Sequence, residues 1–348
     1  MRLRRSVAIL GTVLVFVPAL GFAENPKLAR FSFSSGWDAL PAIVAIERGF
    51  FAQESLVVSG LTITSFEAVT GSLVRGSTDF AAVPQRTLLA MAAAELPVAI
   101  ISMSGWGTEM ELVVPKEEEA IKSMAELKGK TIGVGMASEA FPVLIRLLNK
   151  AKLRPDDVKI KQLPAEALTR AFDPKNKQAD AVLESRHYTT VLLKKGQGRL
   201  VLTHKDITEA IGFIGAAPLL TRHELIEKEP DIIQKFVNAW VKAQKYIQQD
   251  PEDAARLLVI FFHRQGVKTV SEDLTRTWVE MTRYNRFVWT PADVADAEYN
   301  GWGLKEGGLL KASPKLESYV ENRFAEAALK TLEASGVAGG VKGSLSPP

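Results

Sequence analysis

Cysteine is absent from all 348 residues. That excludes disulfides, thiolate metal sites and cysteine nucleophiles, and with them the lipid-acceptor cysteine by which exported bacterial proteins are anchored. Histidine is scarce, and His187, His204, His223 and His263 lie too far apart to suggest a metal cluster. No His-Glu-x-x-His pair and no Walker loop occurs, and Gly133-Val134-Gly135 lacks the rest of a dinucleotide fingerprint. Neither a metal nor a cofactor is expected. No basic tract interleaved with aromatics is present, so a nucleic-acid partner has no electrostatic footprint. Long apolar runs are missing too, apart from one near the start.

That run spans Ser6 to Val17, follows Arg2, Arg4 and Arg5, and is broken by Pro18. Gly21-Phe22-Ala23 then offers small residues at the −3 and −1 positions of a cleavage site. A membrane-spanning helix needs roughly 20 apolar residues, so residues 1–23 are expected to be a cleaved export signal. Without an anchoring cysteine, the product is expected to be free in a periplasm-like space. The leader's three arginines account for the whole excess of 43 basic over 40 acidic residues, leaving a mature chain of balanced charge. At ~150 residues per domain, the remainder is long enough for two units.

Short apolar β-type runs alternate with amphipathic stretches as far as Leu220. The expected strands are Ala29–Ser34, Val57–Ile63, Asp79–Val83, Val98–Met103, Met110–Val114, Lys130–Gly135, Val158–Leu163, Ala179–Leu183, Arg199–Leu202 and Gly212–Leu220. Such alternation predicts an α/β protein with mostly parallel sheets. Asp38 is expected to cap a helix with Pro41 in its first turn and Gly49 as its stop. Ser123 and Glu126 read as a capping box, and Pro142 must lie in the first turn of a helix that begins near Ser138 and Glu139. After Leu220 come helical patterns at Glu229–Gln249, Pro251–Phe262, Ser271–Thr282 and Ser313–Ala334, with a shorter one from Pro291. Residues 335–348 are rich in Gly, Ser and Pro and are expected to be disordered.

Several blocks, in a fixed order, resemble a known family. The first is Leu40–Phe51, reading Leu-Pro-Ala-Ile-Val-Ala-Ile-Glu-Arg-Gly-Phe-Phe. Then come Gly71–Gly76 with Asp79-Phe80, Leu127–Val134, Leu147–Leu153 with Pro155–Val158, Ala179-Asp180-Ala181, Glu229–Phe236, and Ala243 with Asp250–Ala255. Together they resemble the nitrate/sulfonate/taurine and thiamine-precursor binding proteins of ABC importers, over nearly all of residues 30–265. The resemblance implies a type II periplasmic-binding fold, with two α/β lobes joined by two crossing strands. The crossings are placed near Leu112–Pro115 and Gly212–Leu220. Residues 27–113 and 215–334 would form one lobe, and residues 114–214 the other. The resemblance also implies a monomer with a small-molecule ligand, an ABC permease and its ATPase as partners, and no catalysis.

In such folds ligands sit beyond the carboxyl ends of the strands, where helix N-termini present free N–H groups. The segments after the expected strands supply the candidates Ser35, Trp37, Gln85, Arg86, Ser104, Trp106, Ser138, Glu139, Glu184 and His187. Ser35 and Arg86 could bind an anion; Trp37 could stack on a planar or cationic group. Each also has a plain structural explanation: capping turn, core packing or solvated surface. Relatives usually place small and hydroxyl residues where Glu139 stands, so Glu139 could fill a positive helix end itself or meet a ligand amine. Glu184–Tyr188 departs from the family pattern as well. An anionic or zwitterionic solute is expected: a sulfonate, taurine, nitrate or an amino acid. A pyrimidine-like ring is the alternative. A lyase or dehydratase using Glu139 or Glu184 as base is a rival from another class, and a sensor role is a third. The fungal thiamine-precursor synthases of this fold look like enzymes with a cysteine-rich iron motif, which this chain cannot supply.

Overall fold

A computed structural model describes residues 26–33, 37–62, 66–135, 138–211, 215–268, 270–306 and 308–334. The expected leader, Ser35, Met136-Ala137, part of the second crossing and the tail lie outside the described residues, as does the side chain of His187.

The first stretch comprises β1 (Lys27–Phe33), α1 (Leu40–Glu47), α2 (Phe50–Gln53), β2 (Leu56–Thr62), α3 (Phe66–Val74), β3 (Phe80–Ala82), α4 (Gln85–Ala93) and β4 (Val98–Trp106). A second follows with β5 (Met110–Pro115), β6 (Thr131–Gly135), α5 (Ala140–Lys150), β7 (Lys159–Leu163), α6 (Ala165–Leu168), β8 (Ala181–Ser185), α7 (Arg186–Lys194), β9 (Gly198–Leu202) and α8 (His204–Ile211). Last come β10 (Ala216–Arg222), α9 (His223–Lys228), α10 (Pro230–Gln249), α11 (Pro251–Arg264), α12 (Glu272–Met281), α13 (Pro291–Glu306) and α14 (Arg323–Ala334). All ten expected strands form, with ends shifted by a few residues.

The strands make two five-stranded sheets, ordered β2-β1-β3-β10-β4 and β7-β6-β8-β5-β9. Both are mixed rather than mostly parallel. β1 pairs in parallel with β2 and β3, and β6 with β7 and β8. The antiparallel pairings all involve β10 or β5. Those are the two strands by which the chain enters each sheet from the other half, and a strand arriving that way runs opposite to its βαβ neighbours. The chain passes between the sheets at Gly107–Glu109 and again just before Ala216. The segment Leu112–Pro115 lies within β5, paired to β8 and β9, rather than in the crossing itself.

Each sheet packs on its own core. In the first, Phe31 and Phe33 of β1 meet Phe236 and Trp240 of α10 and Phe261 and Phe262 of α11. Phe80 stacks on Phe236 with ring centroids 3.9 Å apart. In the second, Leu112, Ile132, Val134 and Leu183 face Leu144 and Leu148 of α5. Burial of the i, i+3, i+4 stripe is what holds α10 and α5 in place.

Local signals hold where they are short-range. Ser123 and Glu126 form the capping box, though on a 3-10 turn. Pro142 is the third residue of α5, and Gly49 (φ +69°) ends α1. Asp250 and Ser271 cap α11 and α12 by accepting from Asp253 N–H and Leu274 N–H.

Three expectations need correction. Asp38 is not a cap: it lies buried in the 3-10 turn Trp37–Ala39, and α1 starts from Ala39 with no side-chain bond. The pattern Ser313–Ala334 is α-helical only from Arg323, after a 3-10 turn at Glu317–Tyr319, because Val320 bridges Ile100 of β4 and Glu321 N–H donates to Ile100 O. And α13 is not short: it runs 16 residues, capped by Thr290 with Asp293.

Candidate functional site

Where the two sheets face one another, a crevice is lined by Trp37, Pro84, Gln85, Thr108, Glu109 and Glu139, among others. The strand-to-helix turns supply one wall each: Pro84-Gln85 after β3, and Glu139 after β6. The crossing at Gly107–Glu109 forms the floor. α12 contributes Trp278 and Met281, with Thr282 just beyond it. These reach the site because Arg283 bonds to Trp106 through both its N–H (2.6 Å) and its carbonyl (2.9 Å). Trp240 Nε1 and Gln244 Nε2 also donate to Met103 O, tying α10 to the end of β4. The enclosed space is about 50 Å³. One water needs ~10–15 Å³ and small-ligand sites run from ~300 Å³, so the halves stand close together.

Of the residues expected from sequence, Trp37, Gln85 and Glu139 line this crevice. Arg86 is beside it, with its N–H donating to Glu139 Oε1 at 3.0 Å across the gap between the halves. Glu184 lies behind Glu139, accepting from Gly135 N–H (2.7 Å), Ser138 Oγ (2.9 Å) and Ser185 N–H (2.9 Å). A Cβ at residue 135 would stand 2.4 Å from Glu184 Oε2, so the strand end must be glycine there. Ser138 Oγ also accepts from Ala140 N–H, at the start of α5, at 3.0 Å. Two candidates point elsewhere. Ser104 is fully buried with no hydrogen-bond partner for its hydroxyl, away from the lining. Trp106 donates to Asn285 Oδ1 and lies under the Arg286 guanidinium, 4.4 Å from its ring centre. Ser35 and the side chain of His187 lie outside the described residues.

Sequence reasoning missed Glu109, and it took Asp38 for a cap. Both belong to an acidic cluster with Glu139 and Glu184. Burial pushes Asp38 up to about 7, opposed by a hydrogen bond from its own backbone and helped by the charge of Glu139. Burial, then the charges of Glu184 and Glu139, push Glu109 up to about 7 as well. Burial likewise raises Glu139, against the Arg86 N–H bond and charge. It raises Glu184 too, against the bonds from Ser185, Ser138 and Gly135. Close carboxyls out of water cannot all ionise freely. Glu111, next along β5, is instead engaged by Arg186 (3.7 Å) and Thr189 Oγ1 (2.6 Å). The segment Glu109-Met110-Glu111 gave a signal in sequence, two acids on one face of a strand end, but only the crossing makes it a floor.

Among the described residues, no group of three or more His, Asp or Glu is arranged to hold a metal ion, and no helix is long and apolar enough to cross a membrane.

Two α/β halves, crossed twice by the chain and separated by a crevice at their strand ends, define the fold of the periplasmic binding proteins. The aliphatic sulphonate binding protein SsuA of Escherichia coli shares it, with a TM-score of 0.67 at 17% identity over 85% of this chain and 92% of that one. So does the desulfurization enzyme DszB, with a TM-score of 0.63 at 14% identity over 88% of this chain and 99% of that one. The fold therefore hosts both binding proteins and an enzyme. In sequence, a provisionally named binding protein of Brucella abortus (strain 2308) is 23% identical over 329 residues, 91% of this chain and 95% of that protein. Residues 37–254 match the model of the NMT1/THI5 like family, and the chain belongs to that family.

Proposed function

We propose that the protein is a periplasmic solute-binding protein, which closes two lobes on one small organic solute and presents it to the permease of an ABC importer. The observation that carries this reading is the inter-lobe bond from Arg86 N–H to Glu139 Oε1, at the mouth of a crevice too small to admit a guest unless the lobes part. A ligand bridging both walls would favour closure by contacts that exist only in the closed state. Residues 27–113 and 215–334 are assigned to the lobe that carries Gln85, and residues 114–214 to the lobe that carries Glu139. The leader-like composition of residues 1–23 and the absence of cysteine support a periplasmic location, and the Brucella relative's name supports binding as the activity.

Among the solutes expected from sequence, a zwitterion such as an amino acid or amino-sulfonate fits better than nitrate or a simple sulfonate, because acids outnumber bases around the crevice. The indoles of Trp37 and Trp278 in the lining would also suit a planar heteroaromatic guest. Catalysis has less support. Raised carboxyls could act as bases, but no cysteine is present as nucleophile, and among the described residues no triad of base and orienting group faces the crevice. Native mass spectrometry of the purified protein, followed by titration calorimetry with the recovered compound, tests the reading. One-to-one binding of an unaltered compound is expected. Turnover of that compound would make the protein an enzyme, and failure to bind any of a broad metabolite set would remove the proposal.

A further inference from the structure

Building on the solute-binding reading, we infer that the crevice selects a small organic cation, a protonated amine or amidinium, which carries a hydrogen-bond acceptor beside its charge. The cation would sit between Glu109 on the crossing segment and Glu139 at the head of α5, with its acceptor on Gln85 Nε2. Four observations lead there.

Among the described residues, the N–H groups of Arg86, Gly135 and Ser185 that could hold an anion are taken by the protein's own carboxylates. Glu139 accepts the N–H of Arg86, the second residue of α4, where an anion at that helix N-terminus would bind. Glu184 takes the N–H of Gly135 and of Ser185 together with the Ser138 hydroxyl. An incoming sulfonate or nitrate would have to displace one of these and then sit among the remaining acids.

Two buried polar atoms await a partner. Gln85 is 3% exposed and lines the crevice; its Oε1 is held by Asn300 Nδ2 at 2.7 Å, and its Nε2 has no hydrogen-bond partner. Asp38, also 3% exposed, has an Oδ2 with no partner and feels the charge of Glu139, but it stands behind the lining rather than in it. Leaving a buried donor such as Gln85 Nε2 unsatisfied is unfavourable, and a guest that brings an acceptor to it would relieve that.

The charge balance has the right sign. Asp38, Glu109, Glu139 and Glu184 act on one another, while Arg86 is the basic neighbour acting on Glu139 and Arg186 is engaged by Glu111. Burial raises all four carboxyls, consistent with negative charge short of a counter-ion. The remaining lining is apolar and aromatic: Met110, Val143, Met281 and the indoles of Trp37 and Trp278. Such walls suit an alkylammonium, which gains from an aromatic face. They do not suit a hydrated metal ion, for which no ligand set is arranged among the described residues.

The test uses the full mature chain with three arms, in thermal-shift and calorimetric titrations. The first arm holds primary ammonium, quaternary ammonium and amidinium compounds, amino acids included. The second holds their neutral, carboxylate and sulfonate isosteres together with nitrate. The third holds the chlorides of calcium, magnesium and zinc. Binders confined to the first arm are expected, with affinity falling at least tenfold in Glu109→Gln and in Glu139→Gln. Should either variant fail to fold, matched pairs decide on the unmodified protein: an ammonium compound that binds no tighter than its neutral isostere overturns the assignment. Binding confined to the second or third arm also overturns it and leaves solute capture standing. No binding in any arm, from protein that carries no small molecule, removes both.

Discussion

Replacing Asp38 by Asn should make the ligand-free protein more stable at pH 8 and leave it little changed at pH 4.5. Asp38 lies in the turn that delivers Trp37 to the crevice, 3% exposed, with Oδ2 unpartnered. Its folded pKa is raised from 3.8 to about 7, chiefly by burial. For an acid raised in this way, the unfolded chain ionises first. Stability is fully present below pH ~4, is lost as pH climbs to about 7, and does not return above that. Three units at ~1.4 kcal/mol per unit set a ceiling of about 4 kcal/mol on the loss. Asn keeps the shape and removes the charge, but buries a new N–H₂ that costs ~1–3 kcal/mol if unpaired. The net gain expected at pH 8 is therefore on the order of 2 kcal/mol, shrinking to nothing or a slight loss at pH 4.5. Guanidinium unfolding followed by tryptophan fluorescence, at both pH values and for both proteins, measures the difference. Titrations elsewhere in the cluster largely cancel between the two proteins. A variant less stable than the parent at pH 8, or equally shifted at both pH values, would refute the reasoning and make Asp38 a structural acceptor. If Asp38 also attracts a cationic guest, the stabilised variant should bind it more weakly.

Other predictions concern the contact between the halves. Glu139→Ala deletes the 3.0 Å bond to Arg86 N–H; a charge-assisted bond is worth about 1.5–3 kcal/mol, so the balance should move at least tenfold toward the open form. An increased radius of gyration in X-ray scattering would show it, and an unchanged curve would count against the bond as a clasp. On the far side of the crevice, α13 rests on α5: Arg146 pairs with Asp296 at 2.5 Å, and Asn149 Nδ2 donates to Tyr299 Oη at 3.2 Å. A Cβ on Gly303 would lie 2.9 Å from Pro142 Cβ, so Gly303→Phe should prop the lobes apart and weaken ligand binding without moving the unfolding midpoint much. Equal affinity in that variant would mean closure does not need α5 against α13. Phe236→Ala, in the aromatic core beneath β1, should cost about 3–5 kcal/mol, read as a lower guanidinium midpoint; a loss under 1 kcal/mol would mean that core repacks freely.

Much of the fold was legible because its signals are local. The ten β-type runs are short, apolar and punctuated by glycine or proline, and strands form at all ten. Ser123–Glu126, Pro142 and Gly49 act within one turn of chain, and the structure finds them as expected. The failures share another cause. Residues 313–322 have a helical composition, yet the edge of β4 recruits Val320 and Glu321 into an extended pairing. α13 looked short because Gly301 and Gly303 interrupt its pattern. Their missing side chains admit Pro314 on one side and Pro142 on the other. The antiparallel placement of β5 and β10 could not be read from sequence, because periodicity reports which residues are buried, not which way the chain entered the sheet.

The site was legible at its rim and not at its floor. Trp37, Gln85 and Glu139 follow strand ends, and a rule that looks at strand ends finds them. Glu109 lies between two strands that belong to different sheets, and Trp278, Met281 and Thr282 come from a helix remote in sequence and held by the Trp106–Arg283 bridge. Neither position can be read without knowing that the chain crosses there. The ligand's charge depended on the same unseen geometry. From sequence, Ser35, Arg86 and the helix N-termini suggested an anion, since free N–H groups attract negative charge. Folding brings Glu139 from one lobe onto the N–H of Arg86 in the other, and Glu184 onto Gly135 and Ser185, so those donors are spent within the protein. An anionic guest would have to compete with those two acids for the same donors. A helix terminus is thus evidence for an anion site only once the nearest acid has been placed, and here the nearest acid comes from across the crevice.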